Sequence, residues 1–539
     1  MTTRDDIVAR LTAPGQPFEI GIEDVLGQQL PVYTRRHRSL GELLQSSAKF
    51  GDRDYLVTRE SRLTFDEHRR RVAALAAALR AEYDVRPGDR VAICAANSPE
   101  WIVTFWAAVS LGAVAVGMNS LWTGPEMTHA LELTEPKVLV ADRVRADRVG
   151  DSGVPTVSVE TDLPAILVSH ATDRLPDHVA DEDDPALILF TSGTTGRPKG
   201  ATHSHRNVLT ALWFHLLNDA VVTELVAAPT DRRFLLATPL FHIAALHNLA
   251  VVRLAVGDTA VIHQGRFEAD AVLGLIEQER VTNWGAVPTM LSRVLEGDLG
   301  RYDLSSLRTV TVNSAPSSEA LREKLRAGLP EAGRSLGTSY GMTESSTAAT
   351  VASPAELLAD PSTVGRPIVT MQVEVRDADG NRLPDGVEGE ICLRGPGIML
   401  GYWNNPEATD QATAPDGWYR TGDLGTMSGE YLSVSSRRSD LILRGGENVY
   451  PAEIENRLAL HPEIRECVVL GVDHEDLGQE VAAVVVTRDG STVTEVELAE
   501  FAGAALARYK VPTRWTITTA DLPRNATGKV IRAQVESRV

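Results

Sequence analysis

The chain of 539 residues is long enough for several domains and excludes a small module held together by disulfides. Its 53 Lys and Arg residues face 73 Asp and Glu residues, and the net charge of −20 argues against a nucleic-acid partner. Three distant cysteines, Cys94, Cys392 and Cys467, make neither a disulfide framework nor a CxxC metal site. The N-terminus shows no secretion signal, so we expect a protein of the reducing cytoplasm.

The first part of the chain alternates helical patterns with short apolar strands. A capping box at 64–67 predicts the start of a helix, and the uncharged segment 101–125 is predicted to be a buried helix ended by Gly112 rather than a membrane span. Residues 151–185 are rich in Asp and Pro and indicate a solvated connector. Apolar strands are predicted at 91–95, 137–141, 186–190, 259–263 and 308–312, with a helix over 268–279. This alternation is typical of largely parallel α/β sheets.

The pattern changes after about residue 368, where alternating runs with turn signals predict hairpins. From 440 onward, helices at 452–460 and 495–509 and strands at 466–472, 482–488 and 513–519 predict a compact α+β unit. We therefore predict an α/β fold with a domain boundary at 438/439. Residues 1–438 would hold two α/β subdomains and a small antiparallel β subdomain, and 439–539 a second domain with a net basic end.

The strongest local motif is TSGTTGRPKG at 191–200, directly after the strand predicted at 186–190. Its three glycines let backbone N–H groups approach an anion, its four hydroxyls can donate hydrogen bonds, and Lys199 adds a positive charge. It is not a Walker A loop, because Gly196 is followed by Arg-Pro-Lys. The segment therefore predicts a phosphate-binding loop of another kind.

This motif and four others in chain order resemble the signatures of the adenylate-forming (ANL) superfamily, which includes acyl-CoA synthetases. The others are YGMTE at 340–344, GWYRTGDL at 417–424, SRRSDLILRGGENVYP at 436–451 and PRNATGKV at 523–530. The resemblance runs from about residue 38 to 535. It implies a large N-terminal adenylation domain that binds ATP and the acid, and a mobile C-terminal domain that carries a catalytic lysine.

The resemblance also implies roles for individual residues. Lys529 would bridge the attacking carboxylate and the α-phosphate, Thr343 would contact the α-phosphate, and Glu344 would hold Mg²⁺. Tyr340 would stack on adenine, and Asp423 would accept hydrogen bonds from both ribose hydroxyls. The residues implied for ATP and CoA binding are Thr191, Ser192, Gly193, Thr194, Thr195, Gly196, Lys199, Tyr340, Asp423, Arg437, Gly445 and Gly446, of which the last two would lie near the pantetheine arm of CoA.

The segments expected to form the acyl pocket are apolar or small, which suits a hydrophobic acid. From these segments we expect His242, Ala244, Ala245 and Trp284 to line the pocket. Asn313, Ser314 and Ala315 are also expected to line it, but the family often has Gly-Gly-Ala there, so the larger side chains of Asn313 and Ser314 would reshape the channel. A medium or long fatty acid, an aryl acid and a polycyclic terpenoid acid all remain open. Ser439 stands at the hinge pivot, where the family usually has Asp or Lys, and this leaves open how efficiently CoA is acylated.

We therefore expect an ATP-dependent acid:CoA ligase that uses ATP, Mg²⁺ and CoA. One alternative is an adenylating enzyme whose acyl-AMP passes to a separate ligase or carrier protein, and another is a catalytically silent nucleotide-binding protein. The segment 337–341 fits the G-x-S-x-G elbow of hydrolases, but no acid and histidine are assigned to Ser339. The pairs His203/His205 and His242/His247 lack a third ligand at zinc spacing, which favours structural or pocket histidines.

Overall fold

A computed structural model describes residues 3–191, 198–225, 231–312, 319–333, 335–437, 440–444, 447–474, 477–525 and 529–536. Its strands form four sheets and an N-terminal hairpin of Ile20–Val25 with Gln28–Tyr33.

Two largely parallel sheets form the body of the protein. The first has the order Gly401–Tyr402, Lys199–Ser204, Pro185–Thr191, Val114–Gly117, Arg90–Cys94, Val138–Ala141 and Thr156–Ser158. The second has the order Thr309–Val312, Asn283–Ala286, Arg233–Leu236, Thr259–Ile262, Asp54–Val57 and Arg62–Thr64. Helices cross between neighbouring parallel strands, as Pro99–Ser110 does between Arg90–Cys94 and Val114–Gly117.

The described α-helices connect the strands of the protein, and those after residue 450 belong to the C-terminal unit. They are Arg4–Thr12, Leu40–Ser46, Phe65–Glu82, Pro99–Ser110, Gly124–Thr134, Arg143–Val149, Asp162–Ser169, His205–Leu225, Val252–Val256, Ala269–Gln278, Pro288–Leu295, Glu319–Gly328, Pro330–Gly333, Pro354–Ala359, Pro406–Ala412, Pro451–Leu458, Glu495–Gly503 and Arg532–Glu536. Shorter 3₁₀ turns lie at Ser47–Phe50, Leu299–Arg301, Thr343–Ser345 and Arg508–Lys510, and a π-helix at Leu246–Val251.

The third and fourth sheets complete the architecture. The antiparallel third sheet has the order Thr338–Gly341, Ala348–Ala352, Thr363–Pro367, Tyr431–Arg437, Tyr419–Ser428, Gly389–Arg394 and Gln372–Arg376. The fourth has the order Glu447–Val449, Ile442–Arg444, Gly478–Thr487 and Ile464–His474, with Arg514–Thr518 parallel to Gly478–Thr487. The predicted α/β fold with a small antiparallel sheet and a C-terminal α+β unit is confirmed. The boundary at 438/439 lies outside the described residues and stays a prediction.

The helix starts and stops foreseen in the sequence are present. Thr64 caps the helix Phe65–Glu82 through a capping box with Glu67. The uncharged segment begins as the helix Pro99–Ser110, which is buried at every position except Glu100, and Gly112 follows it with a φ of +72°. A φ in this region suits glycine, because it has no Cβ to clash with the backbone. The prediction of a buried helix there is confirmed.

The predicted connector 151–185 is more ordered than its composition suggests. It contains the strand Thr156–Ser158 and the helix Asp162–Ser169, whose Leu163 and Ile166 are buried in the main core. Glu182 is not solvated either, because it accepts hydrogen bonds from the buried Arg36 and pairs with two other arginines. The helix predicted at 495–509 ends at Gly503.

Within the described residues, the helix His205–Leu225 is long and apolar enough to cross a membrane by length and composition. Close to half of its most apolar window is buried inside the protein.

Candidate active site

The predicted phosphate loop joins two paired strands. Pro185–Thr191 ends where the motif begins, and Lys199–Ser204 begins where it ends, with Thr191 opposite Lys199 in antiparallel register. A strand therefore follows the loop, where a Walker A loop would lead into a helix. Ser192, Gly193, Thr194, Thr195 and Gly196 lie outside the described residues.

Lys199 and Glu344 meet at the same aromatic ring, that of Tyr402. The Lys199 Nζ lies 4.7 Å from the ring centroid of Tyr402, and the Tyr402 hydroxyl donates to Glu344 Oε1 at 2.9 Å. The Tyr419 hydroxyl lies 3.3 Å from that of Tyr402, and because Tyr402 gives its proton to Glu344, Tyr419 can donate to Tyr402. Burial raises the pKa of Tyr402 and of Tyr419, so both phenols stay protonated and able to donate.

Glu344 and Thr343 lie on the single 3₁₀ turn Thr343–Ser345. The backbone N–H of Met399 donates to the Glu344 carbonyl at 2.9 Å, and the Ser346 hydroxyl donates to the Gly397 carbonyl at 2.7 Å. These bonds tie the turn to the segment that leads to Tyr402. The Glu344 side chain is therefore fixed in position, with only 8% of the residue exposed.

The residues implied for the nucleoside also come together. The Tyr340 hydroxyl donates to Asp423 Oδ2 at 2.7 Å, although 83 residues separate the two in sequence. Asp423 is buried in the strand Tyr419–Ser428, opposite Arg437 in the register of the neighbouring strand. The third sheet therefore places Tyr340, Asp423 and the backbone of Arg437 at one site.

Lys529 reaches this part of the molecule from the C-terminal unit. Two hydrogen bonds join it to Asn525: Asn525 Oδ1 accepts from the Lys529 N–H at 2.9 Å, and the Asn525 N–H donates to the Lys529 carbonyl at 2.8 Å. Desolvation, with a further contribution from the positive charge of Lys529, lowers the pKa of His242 to about 3. The lysine predicted to be catalytic is therefore close to the segment predicted to line the acyl pocket.

The other predicted pocket residues are only partly placed together. Ala244 is partly buried and Ala245 fully buried, just after His242. Trp284 is 1% exposed and lies in the apolar core between the second sheet and its helices. Asn313, Ser314 and Ala315, the hinge residue Ser439, and Gly445 and Gly446 lie outside the described residues. The strands that flank the two glycines pair with Arg444 opposite Glu447.

The histidines pair differently from either combination considered in the sequence. His203 and His247 meet with ring centroids 5.0 Å apart, and His205 Nδ1 instead accepts the backbone N–H of Leu40. No group of three or more His, Cys, Asp or Glu side chains suited to a metal ion is found in the part of the chain that the structure describes. A lone buried carboxylate such as Glu344 fits Mg²⁺, which takes one or two protein carboxylates and most of its other ligands from substrate phosphates and water.

Ser339 does not form a nucleophile elbow. It lies within the strand Thr338–Gly341, opposite Val351, whereas an elbow requires a sharp turn from strand to helix. The described geometry therefore gives no support to a serine hydrolase.

Sequence reasoning missed Tyr402, Tyr419 and Ser346. Tyr402 adjoins Gly401 at the edge of the first sheet, and no feature of its local sequence marks it as a partner of Glu344. Tyr419 lies inside the 417–424 motif, which gave the one available signal for it.

Comparison with known proteins agrees with this geometry. The model of the AMP-binding enzyme family matches residues 43–403, and that of the AMP-binding enzyme C-terminal domain matches residues 453–529. The chain therefore belongs to the AMP-binding enzyme family, and the resemblance to the adenylate-forming superfamily is confirmed.

The named relatives are acid:CoA ligases. The chain is 38% identical over 478 residues to feruloyl-CoA synthase of Amycolatopsis sp, and the alignment covers 88% of this chain and 94% of that protein. It is 35% identical over 525 residues to indoleacetate–CoA ligase of Aromatoleum aromaticum, with 95% and 98% covered. The structure of o-succinylbenzoate CoA synthetase from Bacillus subtilis, in complex with its acyl-adenylate intermediate, superposes with a TM-score of 0.79 at 30% identity, covering 93% and 98%. The protein is thus an AMP-forming acid–thiol ligase that acts with ATP and CoA.

Proposed function

We propose that the protein converts a hydrophobic carboxylic acid to its CoA thioester in two steps at this site. In the first step, a carboxylate oxygen of the acid attacks the α-phosphorus of ATP, the bond to the β-phosphate oxygen breaks, and acyl-AMP and pyrophosphate form. In the second, the sulfur of CoA attacks the acyl carbonyl, the bond to AMP breaks, and the thiol proton goes to solvent. The activities for which the relatives are named support an acid substrate and leave its identity open.

The observation that carries this proposal is the position of Lys529. The positive charge of Lys529 contributes to lowering the pKa of His242, which supports a lysine of the C-terminal unit acting near the segment proposed to line the acyl pocket. The first step brings two anions together, and a cation fixed between them stabilises the charge that develops in the transition state. Lys529 would therefore serve adenylation.

Glu344 and its neighbours would manage the phosphates. Glu344 would hold Mg²⁺ together with phosphate oxygens, and the ion would neutralise the charge of the leaving pyrophosphate. The Tyr402 hydroxyl would keep the carboxylate in place, while Lys199, at the end of the phosphate loop, lies over the ring of the same tyrosine. Asp423, held by Tyr340, would accept hydrogen bonds from the ribose hydroxyls.

An acid panel tests the proposal. Purified protein is incubated with ATP, Mg²⁺, CoA and fatty, aryl and polycyclic acids, while pyrophosphate and thioester are measured together. We expect pyrophosphate release that depends on the acid, followed by thioester. Acyl-AMP without thioester for every acid that is activated would point to an enzyme that supplies a separate ligase or carrier protein. If no acid causes the release of pyrophosphate, the protein would bind nucleotide without catalysing the reaction.

Replacing Lys529 tests the assigned mechanism. Lys529→Ala should lower the adenylation rate about 100-fold or more, in line with the loss of one group that stabilises transition-state charge, and should affect thioester formation from supplied acyl-AMP far less. Lys510→Ala is a matched control for the adenylation step, because Lys510 is another lysine of the basic C-terminal end and its charge is paired with Glu453 at 2.7 Å. Equal loss in both half-reactions would contradict the role given to Lys529.

A further inference from the structure

Two buried histidines converge on one serine beside the proposed metal carboxylate. His203 Nδ1 lies 2.9 Å from the Ser346 hydroxyl, and His247 Nδ1 lies 2.9 Å from the Ser346 carbonyl oxygen. Their rings are perpendicular, with centroids 5.0 Å apart, and all three residues are fully buried. In sequence, Ser346 is 99 residues from His247 and 143 residues from His203, so the fold brings the three together.

The hydrogen bonds fix which ring nitrogen carries the proton. The Ser346 hydroxyl donates to the Gly397 carbonyl at 2.7 Å, so it accepts from His203 Nδ1. The Ser346 carbonyl can only accept, so His247 Nδ1 must also donate. In a neutral imidazole the other nitrogen is then an acceptor, and both Nε2 atoms present lone pairs on the side of the ring away from Ser346.

Burial keeps both rings neutral. It lowers the pKa of His247 to about 4 and that of His203 well below its ordinary value. His203 and His247 therefore act near neutral pH as hydrogen-bond acceptors at Nε2 and not as cations.

Neither Nε2 atom has a hydrogen-bond partner among the residues that the structure describes, and both are shielded from solvent. A buried acceptor without a donor is unfavourable, because the cost of removing it from water is not offset. A ligand that brings a donor would satisfy them.

Their position identifies which ligand that would be. Ser346 follows Glu344 by two residues. His247 lies on the π-helix Leu246–Val251, five residues after His242. His203 lies in the strand that begins at Lys199. The pair is therefore linked through Ser346 to the turn that carries Glu344, and through the chain to Lys199 and to the segment expected to line the acyl pocket. π-Helical turns occur frequently at functional sites.

We propose that the Nε2 atoms of His203 and His247 recognise a hydrogen-bond donor, a hydroxyl or N–H group, carried on the apolar body of the substrate acid. The inference rests on the proposed function, because it assigns the pair to the acid that the enzyme activates. It narrows the substrate from hydrophobic acids in general to those with a neutral donor group remote from the carboxylate.

The test uses pairs of acids that differ only in that donor. Hydroxycinnamates and hydroxyphenylpropanoates with the hydroxyl at position 2, 3 or 4 are compared with the corresponding fluoro compounds. Hydroxylated fatty acids are compared with the unsubstituted chains, and indole-3-acetate with benzothiophene-3-acetate, which replaces N–H by sulfur. We expect at least one donor-bearing acid to exceed its partner about 10- to 100-fold in kcat/KM, because a site that binds a hydroxyl rejects the analogue without it.

Asparagine variants assign the effect to the two imidazoles. In His203→Asn and His247→Asn the shorter amide can still donate to Ser346 near the Nδ1 position, but the Nε2 acceptor is gone. We expect the preference for the donor-bearing acid to fall to within about twofold in either variant. His68→Asn is the control, because His68 is also buried without a partner but packs against Tyr55 in the main core, and this variant should keep the preference.

The outcomes separate this inference from the proposed function. If donor-free acids are converted as well as their donor-bearing partners at every position, the enzyme is a ligase and the inference is wrong. The inference is equally wrong if the asparagine variants, checked for folding by thermal unfolding, keep the preference. The wild-type panel decides the question even if a variant fails to fold. If no acid releases pyrophosphate, the proposed function fails and this inference fails with it.

Discussion

The hydroxyl of Tyr402 offers a sharp test of how Glu344 is held. Tyr402→Phe removes one oxygen atom and keeps the ring against Lys199, so the only strong interaction lost is the 2.9 Å bond to Glu344 Oε1. A hydrogen bond to a charged group contributes about 1.5–3 kcal/mol to stability. Loss of a group that orients a metal ligand typically costs about 10–100-fold in metal affinity or activity.

We therefore expect Tyr402→Phe to lower kcat/KM for ATP about 10–100-fold and to raise the Mg²⁺ concentration needed for half-maximal adenylation. The assay follows pyrophosphate release at fixed ATP over a series of free Mg²⁺ concentrations. Binding of a non-hydrolysable ATP analogue by calorimetry, with and without Mg²⁺, gives a second readout that does not depend on turnover. The variant should lose mainly the Mg²⁺-dependent part of the binding free energy.

Two further variants show which contact of Tyr402 is responsible for the loss of activity. Tyr419→Phe removes only the longer 3.3 Å contact to Tyr402 and should have a smaller effect. Tyr402→Leu also removes the ring beside Lys199, so any loss beyond that of the phenylalanine variant measures the cation–π contact. Wild-type Mg²⁺ dependence in Tyr402→Phe would refute the idea that this hydroxyl positions Glu344.

Periodicity and capping were enough to predict the architecture. The apolar strands of the two body sheets and the capped helix Phe65–Glu82 follow from patterns of neighbouring residues, and such local patterns survive in the fold. The prediction of a solvated connector at 151–185 holds for most of its residues, which are exposed or half-buried, but it misses single buried ones because average composition does not report the burial of individual residues. Leu163 and Ile166 each reach the core, and Glu182 is buried because arginines surround it.

The site was predictable only where a motif is contiguous. Glu344 and Asp423 stand inside recognisable runs, but nothing near Glu344 in sequence indicates Tyr402, 58 residues away. The same holds for His203 and His247, each of which formed a plausible pair with a nearer histidine. Their actual meeting at Ser346 depends on how the first sheet, the π-helix and the 3₁₀ turn pack together.

The charged residues of the chain are distributed unevenly over the fold. A protein with a net charge of −20 is proposed to bind ATP, CoA and a carboxylate, all of them anions. Many of its arginines are occupied internally, as Arg36 and Arg206 are with Glu182 and Arg253 is with Asp258. The cations proposed for the site are instead single lysines at loop ends, Lys199 and Lys529, so we expect local placement and not net charge to govern anion binding.

Two more predictions concern the supports of the site. Glu182→Gln should lower the free energy of unfolding by about 3 kcal/mol in urea titrations, because it removes a negative charge that pairs with the buried guanidinium of Arg36. As a control, Asp177→Asn, which breaks an exposed ion pair, should change the free energy of unfolding by less than about 0.5 kcal/mol. Asn525→Ala should slow adenylation about tenfold while sparing thioester formation from supplied acyl-AMP, because Asn525 Oδ1 closes the loop that aims Lys529 and only the first step needs that lysine. Asn525→Asp keeps an acceptor at the same place and should recover most of the rate; if it is as slow as the alanine variant, or if both half-reactions fall together, Asn525 does not act by positioning Lys529.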